Sequence, residues 1–157
     1  MDLTLDVGEE YRLNIRAGGI VIHNNKVLLH KNLNKDHYCL PGGRVEIGEN
    51  SESTIKREIK EELGKEIDIL EYVATIENFF EMRYKKYHEI FFIHKIEFKN
   101  EEDKKSNNVM YNMEGKDYLQ YVWVDIDKLN ECKIVPRCLK EIITSNKYIQ
   151  SYNLQFT

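Results

Sequence analysis

Three glutamates, Glu58, Glu61 and Glu62, lie at spacings i, i+3 and i+4 in a segment whose apolar pattern predicts a helix. At 100° per residue their side chains fall within an arc of about 100° on one face, where the charges repel each other. A bound cation would relieve that repulsion, and carboxylate oxygens are ligands that Mg²⁺ and Mn²⁺ prefer. Taken alone, the triplet also fits a solvated helix face, so the neighbouring residues must decide between the two.

The residues around this predicted helix favour the metal site. Gly42 and Gly43 let the backbone pass close to a ligand, and their carbonyls can add an oxygen ligand. Glu49 precedes the helix, and Arg57 can form a bidentate pair with it that fixes the loop against the helix. Such a pair would orient the glutamates that bind the metal.

Residues 40–64 resemble the signature of the Nudix hydrolase family, called here the box. The signature is Gly, five residues, Glu, seven residues, Arg-Glu, an apolar residue, any residue, Glu-Glu, any residue, Gly and an apolar residue. In this chain it falls on Gly43, Glu49, Arg57, Glu58, Ile59, Glu61, Glu62 and Gly64. Lys65 stands at the last, apolar position, after the helix. Seven fixed positions matched at ~7% each give a chance agreement on the order of 10⁻⁸ per starting residue.

This resemblance implies a fold, a reaction and a set of site residues. The fold is α/β (α+β), with a mixed β-sheet between helices in an α/β/α sandwich. The reaction is hydrolysis of a nucleoside diphosphate linked to a group X, with Mg²⁺ or Mn²⁺ as cofactor. The metal ligands carried over by position are the Gly42 carbonyl, Glu58, Glu61 and Glu62, and the candidate catalytic residues are Glu49, Arg57, Glu58, Glu61 and Glu62.

Further candidates lie outside the box. The carboxylate that takes the proton of the attacking water stays open between Glu58, Glu89 and Glu114, because the family uses a box glutamate or one from a later loop. Aromatic side chains near the expected cleft can stack on a base, which is worth ~1–3 kcal/mol. The candidate substrate-binding residues are Tyr38, Arg44, Phe79, Phe80, Glu89 and Glu114.

The elements that must position these residues follow from the hydrophobic pattern. Ile55, Ile59 and Leu63 form an apolar stripe on the box helix, which we predict from Asn50 or Ser51 to Leu63. Residues 40–43 predict an irregular turn, and residues 99–108 a solvated loop. The other predicted elements are strands within 11–31 around an Asn24-Asn25 turn, strands 67–80 and 87–98 around the turn Arg83-Tyr84-Lys85-Lys86, a strand at 118–124, and a last helix from Pro136 through Ile143.

Length and composition predict one domain over 1–157, with a core at about 11–145. The chain of 157 residues carries a net charge of −4, which argues against a broad grip on nucleic acid. We find neither a membrane span nor a signal peptide, and the three cysteines lack metal-type spacing, so we expect a cytoplasmic protein. The aromatic tail from Tyr148 to Phe156 could pack on the body or on a partner subunit, which leaves a homodimer open.

We therefore expect a Nudix pyrophosphohydrolase that acts on a small nucleotide. Nucleoside triphosphates, including oxidised ones, rank first, ADP-ribose-type nucleotides follow closely, and the 5′ end of RNA ranks lower. One alternative is a non-catalytic Nudix module that senses a nucleotide and regulates a partner, although such modules often lose box glutamates. A second alternative is an isomerase of prenyl diphosphates, which would need Cys39 paired with a suitable glutamate.

Overall fold

The computed structural model of this chain describes residues 1–105 and 108–145, and the backbone of residues 151–154. The strands are β1 (Thr4–Val7), β2 (Tyr11–Ile20), β3 (Ile22–His23), β4 (Lys26–Asn32), β5 (Tyr38–Cys39), β6 (Gly42–Arg44), β7 (Ile67–Met82), β8 (Lys85–Phe98), β9 (Met110–Tyr111), β10 (Leu119–Asp125) and β11 (Ser151–Leu154). The helices are α1 (Ser51–Leu63), α2 (Glu101–Lys105), α3 (Leu139–Ser145) and a 3-10 helix (Ile126–Glu131). The side chains of the tail from Tyr148 to Phe156 lie outside the described residues.

The strands of the described residues form two sheets. The larger sheet has the order β1-β2-β8-β7-β11, with β6 paired to β2, and the smaller has the order β3-β4-β10-β9, with β5 paired to β4. Strand β2 runs parallel to β8, whereas β7 is antiparallel to β8, so the sheet is mixed as predicted. This register places Asn14, Glu89 and Asn78 side by side on three adjacent strands.

Two hydrophobic clusters cover opposite faces of the sheets. Helix α1 buries Ile55, Ile59 and Leu63 in one cluster, and α3 buries Ile142 and Ile143 in the other. Neighbouring strand residues alternate between the clusters, as the period of two in a β-strand requires. The box helix is therefore held by packing on one side of the strands, and its polar face is left for chemistry.

Helix α1 begins and ends as the sequence predicts. Asn50 caps its N-terminus, because the Oδ1 atom accepts a hydrogen bond of 2.8 Å from the backbone N–H of Ser53. Gly64 ends it in the left-handed conformation, with φ of 68°, and its N–H donates to the carbonyl of Lys60. Both ends of the box are thereby fixed.

Both predicted hairpin turns are present, and one is shorter than predicted. Asn24 and Asn25 have φ of 49° and 60°, the positive values that a tight two-residue turn requires. Arg83 and Tyr84 have φ of 51° and 68° and form the second turn alone. The prediction that Lys85 and the next lysine belong to this turn is wrong, because β8 starts at Lys85 and pairs with β7 from there.

Three further predictions of local structure need correction. Residues 101–105, expected in a solvated loop, form the short exposed helix α2, whose start is stabilised by the Asn100 side chain accepting from Glu102 N–H. Gly42 and Gly43, expected in an irregular turn over residues 40–43, belong to β6 because this segment pairs with β2. The last helix begins at Leu139, not at Pro136, because the Pro136 carbonyl is used in a turn by the N–H of Leu139. No helix among the described residues is long and apolar enough to cross a membrane.

Candidate active site

The two glycines of the box bring strand β6 against both β2 and α1. A Cβ atom on Gly42 would lie 2.1 Å from the carbonyl oxygen of Ala17, and the φ of Gly42 is +143°. A Cβ atom on Gly43 would lie 2.2 Å from Cδ of Glu58. The Glu58 carboxylate therefore rests directly on the backbone of β6, which only glycine allows.

Arg57 joins the loop before α1 to the glutamates on it. Its Nε and Nη2 atoms donate to the two carboxylate oxygens of Glu49 at 2.7 and 3.0 Å, so the predicted bidentate pair is present. Nη2 also donates to the carbonyl of Arg44, while Nη1 donates to Glu58 at 2.9 Å and to Glu61 at 3.2 Å. The Arg57 hydrogen bonds lower the pKa of Glu49 to about 2, so this carboxylate stays ionised.

Glu62 is the most buried of the box glutamates. Its side chain is 8% exposed and accepts a hydrogen bond from the hydroxyl of Tyr121. Burial raises the pKa of Glu62 to about 7, and the charges of Glu58 and Glu114 act in the same direction, while the Tyr121 bond opposes them. Burial also raises the pKa of Glu58, although Arg57 partly offsets it. The charged forms of both carboxyls are therefore destabilised, as expected for buried acidic groups that lie near other carboxylates.

The donor chemistry of this cluster fits a hard divalent cation. Buried carboxylates that repel each other, beside a glycine backbone with no side chain in the way, are the donor set that Mg²⁺ and Mn²⁺ prefer. The described residues nevertheless contain no group of three His, Cys, Asp or Glu side chains already arranged around a metal. Glu61 is about half exposed, and it accepts from the same Arg57 Nη1 atom as Glu58.

The two outside candidates for the proton acceptor lie in different surroundings. Glu89 is 2% exposed and accepts from the Asn14 amide at 2.7 Å and from the Asn78 amide at 3.4 Å. Glu114 is more exposed and pairs with Lys116 at 3.2 Å, yet its charge acts on the pKa of Glu62. Glu114 is thus associated with the box cluster, whereas Glu89 belongs to the neighbouring cleft.

A cleft of about 670 Å³ runs from the box to the hairpin of β7 and β8. Gly43 and Arg44 line its box end, and Glu89 lies along it. Phe79 and Phe80 also line it, and the Phe80 ring stacks on Tyr87 with centroids 4.7 Å apart. The volume is that of an ordinary ligand pocket.

Tyr38 is placed elsewhere. It is absent from the cleft lining, and its ring contacts the Nζ atom of Lys31, 4.4 Å from the ring centroid. Of the candidate substrate-binding residues, the structure brings four to the cleft and leaves two outside. Those at the cleft are Arg44, Phe79, Phe80 and Glu89, and those outside are Tyr38 and Glu114.

Sequence reasoning missed Arg16, which lines the cleft. The Arg16 guanidinium carbon lies 5.2 Å from the centroid of the Phe91 ring. The negative charges of Glu89, Glu58 and Glu62 interact with this guanidinium. It has no hydrogen-bonded acceptor and no carboxylate within 4.0 Å in the part of the chain that the structure describes. The polar alternation of Arg12, Asn14 and Arg16 in this strand was a signal, because residues i and i+2 share a strand face.

His30 and Cys39 also line the cleft without having been predicted as site residues. The Nδ1 atom of His30 lies 3.3 Å from Sγ of Cys39, and the His30 ring stacks on Tyr121. Burial lowers the pKa of His30 to about 4, with Arg16 acting in the same direction, and burial raises the pKa of Cys39. Both side chains are therefore neutral near pH 7, which does not favour a nucleophilic thiolate.

A sequence model of the NUDIX domain matches residues 13–144, most of the chain. The fold and the box define the class of protein, and the chain belongs to the Nudix hydrolase family. An RNA pyrophosphohydrolase of Ruthia magnifica subsp. Calyptogena magnifica is 35% identical over 82 residues, 51% of this chain and 44% of that protein. An ADP-ribose pyrophosphatase of Methanocaldococcus jannaschii is 44% identical over 63 residues, 36% of this chain and 37% of that protein. The chain thus matches less than half the length of these two relatives.

Solved structures share the fold over most of the chain. A UDP-X diphosphatase has a TM-score of 0.62 at 18% identity, covering 96% of this chain and 70% of that one. The MutT protein of Bacillus halodurans has a TM-score of 0.61 at 17% identity, covering 90% of both chains. At these identities the likeness concerns the fold, and the predicted Nudix fold is confirmed.

Proposed function

We propose that this chain is a Mg²⁺- or Mn²⁺-dependent pyrophosphohydrolase that cuts a phosphoanhydride bond of a nucleoside diphosphate-X. The observation that carries the proposal is the acidic cluster of the half-buried Glu58, which lies against the Gly43 backbone at the end of a nucleotide-sized cleft, and the buried Glu62. Members of the family generally use a divalent ion. The printed names of the relatives, an RNA pyrophosphohydrolase and an ADP-ribose pyrophosphatase, describe the same class of bond.

The residues of this chain have distinct proposed roles. Glu58, Glu61, Glu62 and the Gly42 carbonyl would hold the ion, which supplies Lewis-acid neutralisation of the diphosphate when bound. Arg57 keeps Glu58 against β6. Its guanidinium has no N–H donor left to bind substrate, because all its donors are used by the protein.

Proton transfer and substrate positioning are assigned to different groups. Glu58 Oε1 is occupied by Arg57, which leaves Oε2 to take the proton of the attacking water. The charges of Glu89, Glu58 and Glu62 all act on Arg16. Its unused N–H donors would bind a substrate phosphate. The aromatic pair of Phe80 and Tyr87 offers a surface for the base or its equivalent in X.

Replacing Glu62 by Gln tests the proposed site. The substitution removes a charge and keeps the volume, and we expect kcat/KM to fall at least ~100-fold, since metal and charge-stabilising groups are worth several kcal/mol. Glu52→Gln on the same helix is the matched control, because Glu52 is exposed and outside the cluster. Near-wild-type turnover by both variants would contradict the site, and tight nucleotide binding with no turnover by the wild type would favour the sensor alternative.

A further inference from the structure

One wall of the cleft carries three cations, Lys35, Lys133 and Arg137, which we call the cationic wall. Two loops build it, and backbone hydrogen bonds tie them together. The N–H of Tyr38 donates to the carbonyl of Lys133 at 2.8 Å, and the N–H of Val135 donates to the carbonyl of Tyr38 at 2.9 Å. The two loops that carry these cations are therefore held together by main-chain pairing, although they are about a hundred residues apart in sequence.

The charge of the cleft is opposite to that of the chain. Five cationic side chains line it against two carboxylates, while the chain as a whole carries −4. One of the carboxylates, Glu89, already accepts from two asparagine amides. The other is Glu81, on the end of β7. A pocket that gathers positive charge on an acidic protein attracts anions and concentrates them locally.

Two members of the cationic wall have no anionic partner in the described ranges 1–105 and 108–145. Lys133 is paired with Asp36 at 2.7 Å, but no carboxylate lies within 4.0 Å of the Lys35 amine or the Arg137 guanidinium. Lys35 reaches across the cleft, with its Nζ atom 4.0 Å from Sδ of Met82 on β7. These positive charges face the cleft space instead of being neutralised by the protein.

The cationic wall lines the same cleft as the aromatic pair and the box glycine Gly43. The box end of the cleft is marked by Gly43 and Arg44, and the contact between Lys35 and Met82 marks the other side. A nucleoside whose diphosphate reaches the box and whose base lies on Phe80 has its sugar between these two points, within the cleft that the cations line. The 3′-hydroxyl is the position at which a nucleotide carries a further phosphate.

We infer that the cationic wall binds a second phosphate of the substrate, carried on the 3′ side of the nucleoside whose 5′-diphosphate is cut. The inference rests on the proposed function and narrows its substrate class to 5′-polyphosphorylated nucleotides with a 3′-phosphate or 3′-phosphodiester. Two sources supply this group, a free nucleotide with phosphates at both ends and the 5′ end of an oligonucleotide. Both present the same anion to Lys35 and Arg137.

The test compares matched substrates. We expect ATP carrying a 3′-phosphate to have a KM at least tenfold lower than that of ATP at low salt, and the advantage to shrink as ionic strength rises. In the double variant Lys35→Ala/Arg137→Ala, the KM values of the two substrates should come within about twofold. The control Lys128→Ala/Lys140→Ala removes two charges outside the cleft lining and should keep the full difference.

A 5′-triphosphorylated dinucleotide separates the two sources. A lower KM than that of the 3′-phosphate assigns the site to oligonucleotide ends, and a higher one assigns it to free nucleotides. Equal KM values for ATP and its 3′-phosphate in the wild type would overturn the inference and leave the proposed function standing. If neither is cut, the proposed function is decided with other nucleoside triphosphates and ADP-ribose, and calorimetric binding of adenosine 3′,5′-bisphosphate against AMP still decides the inference, since equal affinities would overturn it.

Discussion

Arg57 shows how one residue organises the box. It contacts Glu49, Glu58, Glu61 and the carbonyl of Arg44, so a single guanidinium joins the loop, the helix and strand β6. Its planar fork matches the geometry of two carboxylate oxygens, which a lysine could not reproduce. We propose that Arg57 acts on the reaction through the position of the glutamates.

The Glu49–Arg57 pair makes a prediction about stability and pH. Because the pKa of Glu49 is about 2 in the folded chain and near 4.5 when unfolded, the carboxylate stabilises the fold fully above about pH 4.5 and loses this effect as pH falls toward 2. We expect Glu49→Gln to lower the free energy of unfolding by about 1 kcal/mol at pH 7, allowing for solvent screening, and by less at pH 3. Urea denaturation measures both values.

The control for this experiment is Glu131→Gln, at an exposed glutamate of the 3-10 helix. It should leave the free energy of unfolding within about 0.5 kcal/mol of wild type. A loss in Glu49→Gln that is as large at pH 3 as at pH 7 would contradict the proposed ionised pair.

At the scale of elements, the close packing of β6 against α1 controls the position of Glu58. Gly43→Ala places a Cβ atom where the Glu58 carboxylate lies, and the end of a flexible side chain can move aside. We expect stability to change by less than about 1 kcal/mol, while kcat/KM falls ~10- to 100-fold, because displacing a catalytic group by about 1 Å is costly. Steady-state kinetics and urea denaturation of the same variant measure the two effects.

A double variant shows whether Gly43 acts through Glu58. Once Glu58→Gln has removed the carboxylate charge, adding Gly43→Ala should cost little further activity, so the two effects are not additive. Fully additive losses would mean that Gly43 serves the reaction in another way.

The elements were predictable where local signals agree. The cap residue Asn50, the apolar stripe of α1 and the Gly64 stop all lie within one short segment, and the helix has the predicted limits. Strand β6 was not predictable, because two glycines have no strand preference and pairing with Ala17 and Gly18 on β2 decides their conformation. The start of α3 was also missed, because Pro136 is equally suited to the turn that precedes a helix.

At the scale of the whole molecule, the box was visible in sequence but the cleft was not. The box residues are neighbours in the chain, so spacing alone identifies them. Arg16, Lys35 and Arg137 meet only after β2, the loop before β5 and the segment before α3 have been brought together. Overall acidity suggested an enzyme without a basic groove, yet the net charge of a chain does not describe its local distribution.

Binding of a divalent metal should raise the stability of the whole fold. Relief of the repulsion between Glu58 and Glu62 should stabilise the folded chain, and a ligand at 100 times its Kd adds ~2.7 kcal/mol. We expect the Tm to rise when excess EDTA is replaced by millimolar Mg²⁺ or Mn²⁺, and the rise to be reduced in Glu58→Gln/Glu62→Gln. A Tm that is unchanged by the metals in the wild type would contradict a metal site.

Identifying the bond that the protein breaks tests the central claim most directly. Incubation of the wild-type chain with nucleoside triphosphates, ADP-ribose and AMP in the presence of Mg²⁺, with every product identified by chromatography, reports that bond. The account predicts a nucleoside monophosphate together with pyrophosphate or a phosphorylated X, and no reaction of AMP, because a monophosphate has no phosphoanhydride for the cluster to act on. Release of orthophosphate from AMP as fast as from the best diphosphate substrate would contradict it.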